Sequence, residues 1–191
     1  MNALAAALAL LAAAQAAERA PAGAQPRDSA APPAGDSPHG WSERRSTEAG
    51  FAAQMPCEPG PMGAPVDLPS ERGPLRMVVW GCEVARGEGY GVVVMELPPA
   101  AAAELGADAL DQMAEQMAKR SAARGAHLAR SLRRTIAGAP ARDLTFESEG
   151  KAQRVLVVLD GRRLLQAVAS RGSGETIPGS EPFYDSFRPL R

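Results

Sequence analysis

The sequence predicts an α+β fold in which a largely antiparallel sheet of six or seven strands is covered by one long helix and a short C-terminal helix. Apolar runs of strand length alternate with turn residues, and one long segment has helical periodicity. Two of the runs, at residues 92–95 and 155–159, are apolar on both faces. A strand with one face exposed to water would instead alternate between apolar and polar residues. The sheet must therefore be covered on both sides, as in a three-layer α/β/α sandwich.

The strand assignments follow from apolar runs that end at turn residues. We expect strands at residues 50–56, 75–85, 90–97, 128–137, 141–148, 152–159 and 162–170. The connections between them carry turn residues at 86–89, 138–140, 149–150 and 160–161. Asp160-Gly161 between two apolar runs is among the strongest short-range hairpin signals, so the last four strands should form a meander. The Pro- and Gly-rich stretch 59–73 is expected to be a loop.

Residues 100–124 are expected to form the long helix, which begins after Pro98-Pro99 and ends at Gly125. Its buried stripe consists of Leu105, Ala109, Leu110, Met113, Ala114 and Met117. We interpret the two methionines as core residues rather than as part of a ligand site. Residues 182–187 can form the short helix over an edge of the sheet or over its other side.

The strand after the long helix carries three arginines, Arg130, Arg133 and Arg134. Leu128, Leu132 and Ile136 are expected to share one face of this strand, which would place Arg133 close to Asp143 of the next strand. We interpret the arginines as a solvated and partly paired surface. An anion site is the alternative interpretation.

The first sixteen residues are interpreted as a secretory signal peptide. Residues 3–14 are an unbroken run of Ala and Leu, and Ala14-Gln15-Ala16 has the small-x-small pattern that signal peptidase prefers. The run is too short to span a bilayer, which takes about 20 apolar residues. No Lys or Arg precedes it, and an Ala-rich disordered tail is the alternative. We predict export to the periplasm or the medium, with cleavage near Ala16 and no membrane span in the mature chain.

Residues 17–40 are expected to form a disordered linker, because they contain five prolines and no large apolar residue. The linker is either a tether or simply a disordered segment. One globular domain then occupies residues 41–191. The net charge of −1 shows no basic excess that would indicate a nucleic-acid partner, and no polybasic stretch indicates anionic lipid.

Cys57 and Cys82 are the only two cysteines of the chain. In an exported protein, an even pair is typical of a disulfide. The bond would close a loop of about 25 residues and contribute about 3–4 kcal/mol on the chain-entropy model. A reactive thiol is disfavoured because the sequence has no Cys-x-x-Cys motif and no flanking His. Two unpaired buried thiols are the third possibility.

Sequence patterns typical of catalysis or ligand binding are absent. His39 and His127 lie far apart, and there is no zinc-type spacing, nucleophile elbow, P-loop or calcium loop. The glycines at 87, 89 and 91 open a strand rather than a helix, so we interpret them as a turn. We therefore predict no catalytic, cofactor-binding or metal-binding residue and no cofactor.

Two pairs of carboxylates and two tryptophans are the remaining candidates. The carboxylates are Glu147 with Glu149 and Asp108 with Asp111, and both pairs lie on faces predicted to be wet. Trp41 and Trp80 are interpreted as packing residues. For Trp41, at the edge of the domain, an anchor for a partner is the alternative.

The order of several motifs along the chain is familiar. The motifs are Phe51 with Met55-Pro56, the strand of Tyr90 that ends at Pro98-Pro99, the long helix, residues 138–142, the hairpin around Gly161-Arg162, and Phe183-Tyr184-Asp185-Ser186-Phe187. In this order, residues 41–190 resemble small exported bacterial proteins with a PsbP-like fold, named for an extrinsic photosystem subunit. The resemblance implies an α/β/α sandwich around an antiparallel sheet, and the theme common to such proteins is non-catalytic binding. No metal-binding or partner-binding residue of theirs has a counterpart here.

These observations predict an exported, non-catalytic binding or accessory domain of the bacterial envelope. Its partner is expected to be another envelope protein, docked on the sheet edge or on the loop 59–73, and the oligomeric state stays open. One alternative is a hydrolase whose groups converge only in three dimensions, gathering Arg130, Glu147 and either Ser131 or Ser148. The other alternative is a structural or secretion-linked module, which the linker motivates.

Overall fold

The computed structural model describes residues 40–190, apart from Glu71, Ala107 and the pairs 86–87 and 172–173. The predicted signal peptide and all but the last residue of the predicted linker lie outside the described residues. The account that follows concerns the described part of the chain.

Eleven strands and three helices make up the described part of the chain. The strands are β1 (Ser42–Ser46), β2 (Phe51–Met55), β3 (Gly60–Pro61), β4 (Val66–Leu68), β5 (Leu75–Ala85), β6 (Glu88–Glu96), β7 (His127–Ile136), β8 (Ala139–Ser148), β9 (Lys151–Asp160), β10 (Arg163–Arg171) and β11 (Arg188–Pro189). The helices are α1 (Pro99–Ala103), α2 (Ala109–Ala122) and α3 (Glu181–Ser186).

Two antiparallel sheets organise these elements. The main sheet has eight strands in the order β3-β5-β6-β10-β9-β8-β7, with β4 also paired to β5. The small sheet has the order β1-β2-β11. Strands β7 to β10 form the meander that the turn residues predict, with positive φ at Ala137-Gly138 and at Glu149-Gly150, as two-residue hairpin turns require.

The central strands bury side chains on both faces, as the sequence predicts. Val155 and Val157 of β9 pack toward α2, where Met113 and Met117 belong to the same core. Leu156 and Val158 point to the opposite face and belong to a second core. The methionines of the predicted stripe are therefore core residues.

The second core is closed by the small sheet together with α3. Phe51 stacks on Phe187 with ring centroids 5.9 Å apart, and Phe183 meets both Tyr184 and Phe187 edge to face. Phe51, Phe183 and Phe187 are almost completely buried. The molecule is thus a three-layer sandwich. The layer that covers this second face of the main sheet, however, is the small sheet together with the six-residue helix α3, rather than the short helix alone.

The predicted long helix is wrong in one respect, because residues 100–124 form two helices. Helix α1 ends at Ala103, with Glu104 as its C-cap, and α2 begins at Ala109 after Asp108. Gly106 lies in the break, and glycine is among the poorest helix formers. Asp108 then accepts a hydrogen bond from the Gln112 side chain at the start of α2, at 2.5 Å.

The strand count also differs from the prediction of six or seven strands. The loop 59–73 contributes two short strands, β3 and β4, which pair with the outer side of β5 and bring the main sheet to eight strands. Strand β2, expected within the one sheet, belongs to the small sheet instead. Such two- and three-residue strands have no periodic pattern from which they could be predicted.

A β-bulge between Leu128 and Arg130 corrects the predicted faces of β7. The extra residue reverses the alternation, so Leu128 joins the α2-side core while Ile136 joins the core on the other side. Leu132 stays 39% exposed on that second side. The expectation that these three residues share a face is therefore wrong.

The disulfide predicted from the cysteine pair joins Cys57, which follows β2, to Cys82 in β5, with Cα atoms 6.0 Å apart. It connects the start of the Pro- and Gly-rich loop to the main sheet. Neither cysteine is free.

Replacing both cysteines with Ala should lower the free energy of unfolding by about 3.5 kcal/mol, because the denatured chain regains the freedom of a 25-residue loop. Urea denaturation with and without a reductant measures the change. The reductant should destabilise the natural chain by a similar amount and leave the double variant unaffected. A natural chain that is indifferent to reduction would contradict the prediction.

Candidate functional site

The most strongly buried carboxylate of the described chain is Asp143 of β8, whose side chain is 5% exposed. Arg154 of β9 holds it with two hydrogen bonds, from Nε to Oδ1 at 2.9 Å and from Nη2 to Oδ2 at 2.7 Å. Arg134 of β7 adds a third hydrogen bond to Oδ2 at 3.1 Å. Asp185 of α3, on the solvent side, lies 3.7–3.8 Å from both guanidiniums. Two cations and two anions therefore form one neutral cluster across three strands and a helix.

The protonation of Asp143 reflects two opposed effects. Burial of the carboxyl raises its pKa, but the hydrogen bonds and positive charges of Arg154 and Arg134 outweigh burial and hold the pKa below the ordinary 3.8. Asp143 is therefore ionised at neutral pH and acts as an acceptor. A general acid would need the opposite shift.

Next to this cluster, strands β9 and β10 separate. Their pairing ends at Val155 and Val168, so the next pair, Arg154 with Ala169, is not directly bonded. The Tyr184 hydroxyl fills the gap: it accepts a hydrogen bond from the Ala169 N–H and donates one to the Arg154 carbonyl, both at 2.9 Å. The Tyr184 hydroxyl thus takes the place of a direct main-chain hydrogen bond between β9 and β10.

Thr176 closes the gap on its other side. Its Oγ1 accepts the Arg154 N–H at 2.6 Å, and its own N–H donates to the Ala152 carbonyl at 2.8 Å. The Arg154 guanidinium lies 4.4 Å from the centre of the Tyr184 ring, a cation–π distance. Burial raises the pKa of Tyr184 to about 12, so the hydroxyl keeps its proton and its donor role at neutral pH.

A second ionic cluster fastens α2 to the sheet. Asp111 in the first turn of α2 pairs with Arg142 of β8 and, at 2.5 Å, with Arg133 of β7. The Arg142 side chain is only 10% exposed, whereas that of Arg133 is 79% exposed. The prediction that Arg133 lies close to Asp143 is wrong: the bulge turns Arg134 toward Asp143 and Arg133 toward the helix.

The C-terminal Ser-Phe pair docks α3 on the small sheet. Ser186 Oγ accepts the N–H of Gln54 in β2 at 2.7 Å and donates to the Pro182 carbonyl at 2.5 Å. Phe187 enters the core beside Phe51. The motif that carried the resemblance therefore has a structural role.

The remaining candidates lie apart from these clusters. Trp41 packs edge to face on Tyr90 at 5.3 Å, and Trp80 is buried in the same core. His127 lies 3.8 Å from Glu147 on the surface, while His39 lies outside the described residues. In the described ranges, no three His, Cys, Asp or Glu side chains gather in a way that could hold a metal.

Within the described residues, Arg130, Ser131 and Glu147, which were considered for a hydrolase, are not brought together. Arg130, Ser131 and Glu147 are all exposed. Arg130 and Ser131 are neighbours on one strand and therefore point to opposite faces of the sheet. Glu147 pairs in register with His127, at the far side of the bulge from Arg130.

Gln166 of β10 is a buried polar residue without a complete set of partners. Its side chain is 1% exposed on the α2 side, and within the described structure its Nε2 finds no hydrogen-bond acceptor. Such an unpaired donor costs about 1–3 kcal/mol. A carboxamide does not titrate near neutral pH, so this position offers no acid–base chemistry.

The structural importance of Arg154, Asp111 and Tyr184 was not predicted from the sequence. A signal existed for Arg154 and for its partner Asp143, because Arg154 begins an otherwise apolar run and Asp143 interrupts another. Charges in strands that are buried on both faces must be paired, and those two strands are neighbours in the meander. The contact of Tyr184 with both strands has no counterpart in a local pattern.

The architecture is similar to that of solved structures. CyanoP, the cyanobacterial PsbP of Synechocystis sp. PCC 6803, matches with a TM-score of 0.50 at 14% identity, over 84% of this chain and 99% of that chain. PA94, a protein of unknown function from Pseudomonas aeruginosa, matches with a TM-score of 0.37 at 16% identity, over 63% of this chain and 90% of that one. This TM-score is too low for the match to support an argument. No protein-family model and no curated protein matches. The chain has a PsbP-like fold, and at this identity the likeness shows the fold alone.

Replacing Asp143 with Asn should lower the free energy of unfolding by about 3 kcal/mol near neutral pH, because two guanidiniums lose their buried anion. The pKa of Asp143 is lower in the folded chain than in the unfolded one, so its contribution is complete above the ordinary 3.8 and is lost as the pH falls through the folded value. The difference in the free energy of unfolding between the natural chain and the variant should therefore become smaller in acid. Urea denaturation over a pH series measures this, with Asp67→Asn on the exposed part of β4 as control. A difference that is independent of pH would contradict the assignment.

Replacing Tyr184 with Phe should cost about 1–3 kcal/mol, because the Ala169 N–H and the Arg154 carbonyl lose their shared partner while the ring stays in place. Hydrogen exchange followed by NMR should show faster exchange at Ala169 and little change at Val168, whose N–H points to the other side of β10, toward β6. Unchanged protection at Ala169 would rule out the bridging role.

Proposed function

We propose that this chain is an exported, non-catalytic binding or accessory domain of the bacterial envelope. The observation that carries the proposal is that the ionised and hydroxyl groups at its buried ionic clusters are committed to holding layers together. Asp143 receives three hydrogen bonds from two arginines, and the Tyr184 hydroxyl both accepts and donates within the backbone. A group whose hydrogen bonds maintain the fold is a poor candidate for a reacting group, which supports an action through the surface.

Export is supported by the disulfide and by the N-terminal sequence. Disulfides persist in oxidising compartments and are rare in the bacterial cytosol, and Cys57 and Cys82 are joined. The Ala- and Leu-rich run at 3–14 has the length of a signal-peptide core. Among the described helices, none combines the length and the apolar character needed to cross a bilayer.

The export half of the proposal is tested by expressing the full chain with a C-terminal tag in a Gram-negative bacterium. The tag should appear in the periplasmic fraction or the medium, the new N-terminus should lie near Ala16 by mass spectrometry, and no free thiol should be titratable after denaturation. Leu10→Arg, which puts a charge into the apolar run, should leave the chain uncleaved in the cytosol. An intact N-terminus on the natural chain would contradict export.

The binding half is tested in the same cells by chemical cross-linking before lysis. The natural chain should give a discrete adduct of reproducible mass, and the double cysteine variant at a temperature where it is unfolded should not. A natural chain that stays entirely monomeric would count against binding. Hydrolysis of a broad panel of ester or phosphoester substrates, abolished by Glu147→Gln, would support the enzymatic alternative instead.

A further inference from the structure

Strand β7 forms one edge of the main sheet. It pairs with β8 on one side, and no strand among residues 40–190, with their stated gaps, pairs with its other side. Beyond the bulge, Arg130 to Ile136 run in unbroken register with β8. An edge strand of this length presents alternating N–H and C=O groups that a further strand can pair with.

The segment that contains this edge is rich in cations, although the whole chain has a net charge of −1. From residue 116 to residue 142 the chain contains no Asp or Glu, and its cations are Lys119, Arg120, Arg124, Arg130, Arg133, Arg134 and Arg142. Arg142 and Arg133 are paired with Asp111, and Arg134 is paired with Asp143. Arg130 is exposed.

The bulge gives the edge a specific pattern. Arg130, Leu132 and Arg134 point to the same face, the face that carries Asp143 and Arg154. Leu132 is one of the few large apolar side chains that the described structure leaves exposed. Every second side chain on this face is therefore, in order, a cation, an apolar residue and a cation, over about 13 Å of strand.

The pattern disfavours two candidate occupants. In a second copy of β7 paired antiparallel about Leu132, Arg130 would face Arg134, and like charges directly opposite each other are destabilising. The chain's own residues 1–39 have only Glu18, Asp28 and Asp36 as acids, at spacings that cannot match two arginines four residues apart. Arg130 has no anion paired with it in the described structure, and Arg134, although paired with Asp143 and Asp185, keeps a side chain that is 34% exposed. Acids at both arginine positions therefore complement the edge, most strongly at Arg130.

We propose that the β7 edge binds an extended acidic segment of a partner protein, which adds as an antiparallel strand with the pattern acidic-x-apolar-x-acidic opposite Arg130, Leu132 and Arg134. This inference rests on the proposed binding function and specifies the partner chemistry. Main-chain hydrogen bonds supply affinity and the alternating side chains supply selectivity, as in other cases of strand addition. The same arginines keep the edge from pairing with neutral strands or with itself.

The probe is the capped peptide Thr-Glu-Thr-Val-Thr-Glu-Thr, titrated into the isotope-labelled full chain and followed by NMR. The amide signals of Arg130 to Ile136 should move first and most, and binding should weaken as salt rises. Peptides with Gln or Lys in place of Glu should bind at least about tenfold more weakly. Of two peptides N-methylated either on the Thr nitrogens or on the Glu and Val nitrogens, one should lose binding and the other keep it, because successive N–H groups point to opposite edges of a strand.

Arg130→Glu is the decisive variant. Arg130 is exposed and makes no ion pair in the described structure, so the change should leave the unfolding midpoint nearly unaltered. It should weaken the peptide by about tenfold or more. Arg76→Glu, an exposed strand arginine on β5 at the far side of the sheet, is the matched control and should leave affinity unchanged.

Three outcomes would overturn the proposal: equal affinity for the Gln peptide, retention of binding by both N-methylated peptides, or equal losses for Arg130→Glu and Arg76→Glu. Tighter, Arg130-dependent binding to phosphatidylglycerol vesicles would also overturn it in favour of a lipid surface. The cross-linking experiment distinguishes a failure of the β7 site from a failure of the proposed binding function. An adduct that forms equally well with Arg130→Glu would leave the binding function standing while removing β7 as its site.

Discussion

The constraint on which the structure depends is a sheet whose central strands are apolar on both faces. In β9, Val155 and Val157 face one core while Leu156 and Val158 face the other, and all four are fully buried. A sheet of this kind is stable only when both faces are covered, and here the covers come from different parts of the sequence. Helix α2 covers one face; β1, β2, β11 and α3, from the two ends of the described chain, cover the other. The domain is therefore closed only after its last residues have docked.

Each cover is fixed in place by polar contacts as well as by apolar packing. On one side Asp111 of α2 meets Arg142 of β8, and on the other the Tyr184 hydroxyl of α3 bridges Ala169 and Arg154. Apolar packing tolerates sliding, whereas a charge or hydroxyl that is buried must find its particular partner. The polar contacts therefore define the register of each layer. The consequence for function is that the burial of Asp143 and Tyr184 and the partial burial of Asp111 are explained by their role in joining the layers.

The sequence was sufficient for the features that have a period and insufficient for those that depend on one residue. Double-sided apolar runs predicted the three layers, hairpin dipeptides predicted the meander, and the cysteine pair predicted the disulfide, all of which the structure contains. The bulge at Leu128–Arg130 could not be predicted, because one extra residue leaves no pattern of its own, yet it reverses every side chain from Arg130 to Ile136. The β7 partner of Asp143 was misassigned for that reason. The site missed most completely, the Tyr184 bridge, joins segments that only the tertiary fold brings together.

The backbone groups at the two edges of the main sheet are protected in different ways, and the difference determines how much backbone each edge leaves free. Beyond β5, the short strands β3 and β4 occupy the outer backbone groups, and the disulfide at Cys82 holds the start of their loop. Beyond β7, the described chain places no such cover, and charged side chains take over the protection. A short-strand cover leaves little backbone for another protein to pair with, while a charged edge leaves the backbone available to any strand that neutralises the charge. The β7 edge therefore offers an added strand more free backbone than the loop 59–73 does.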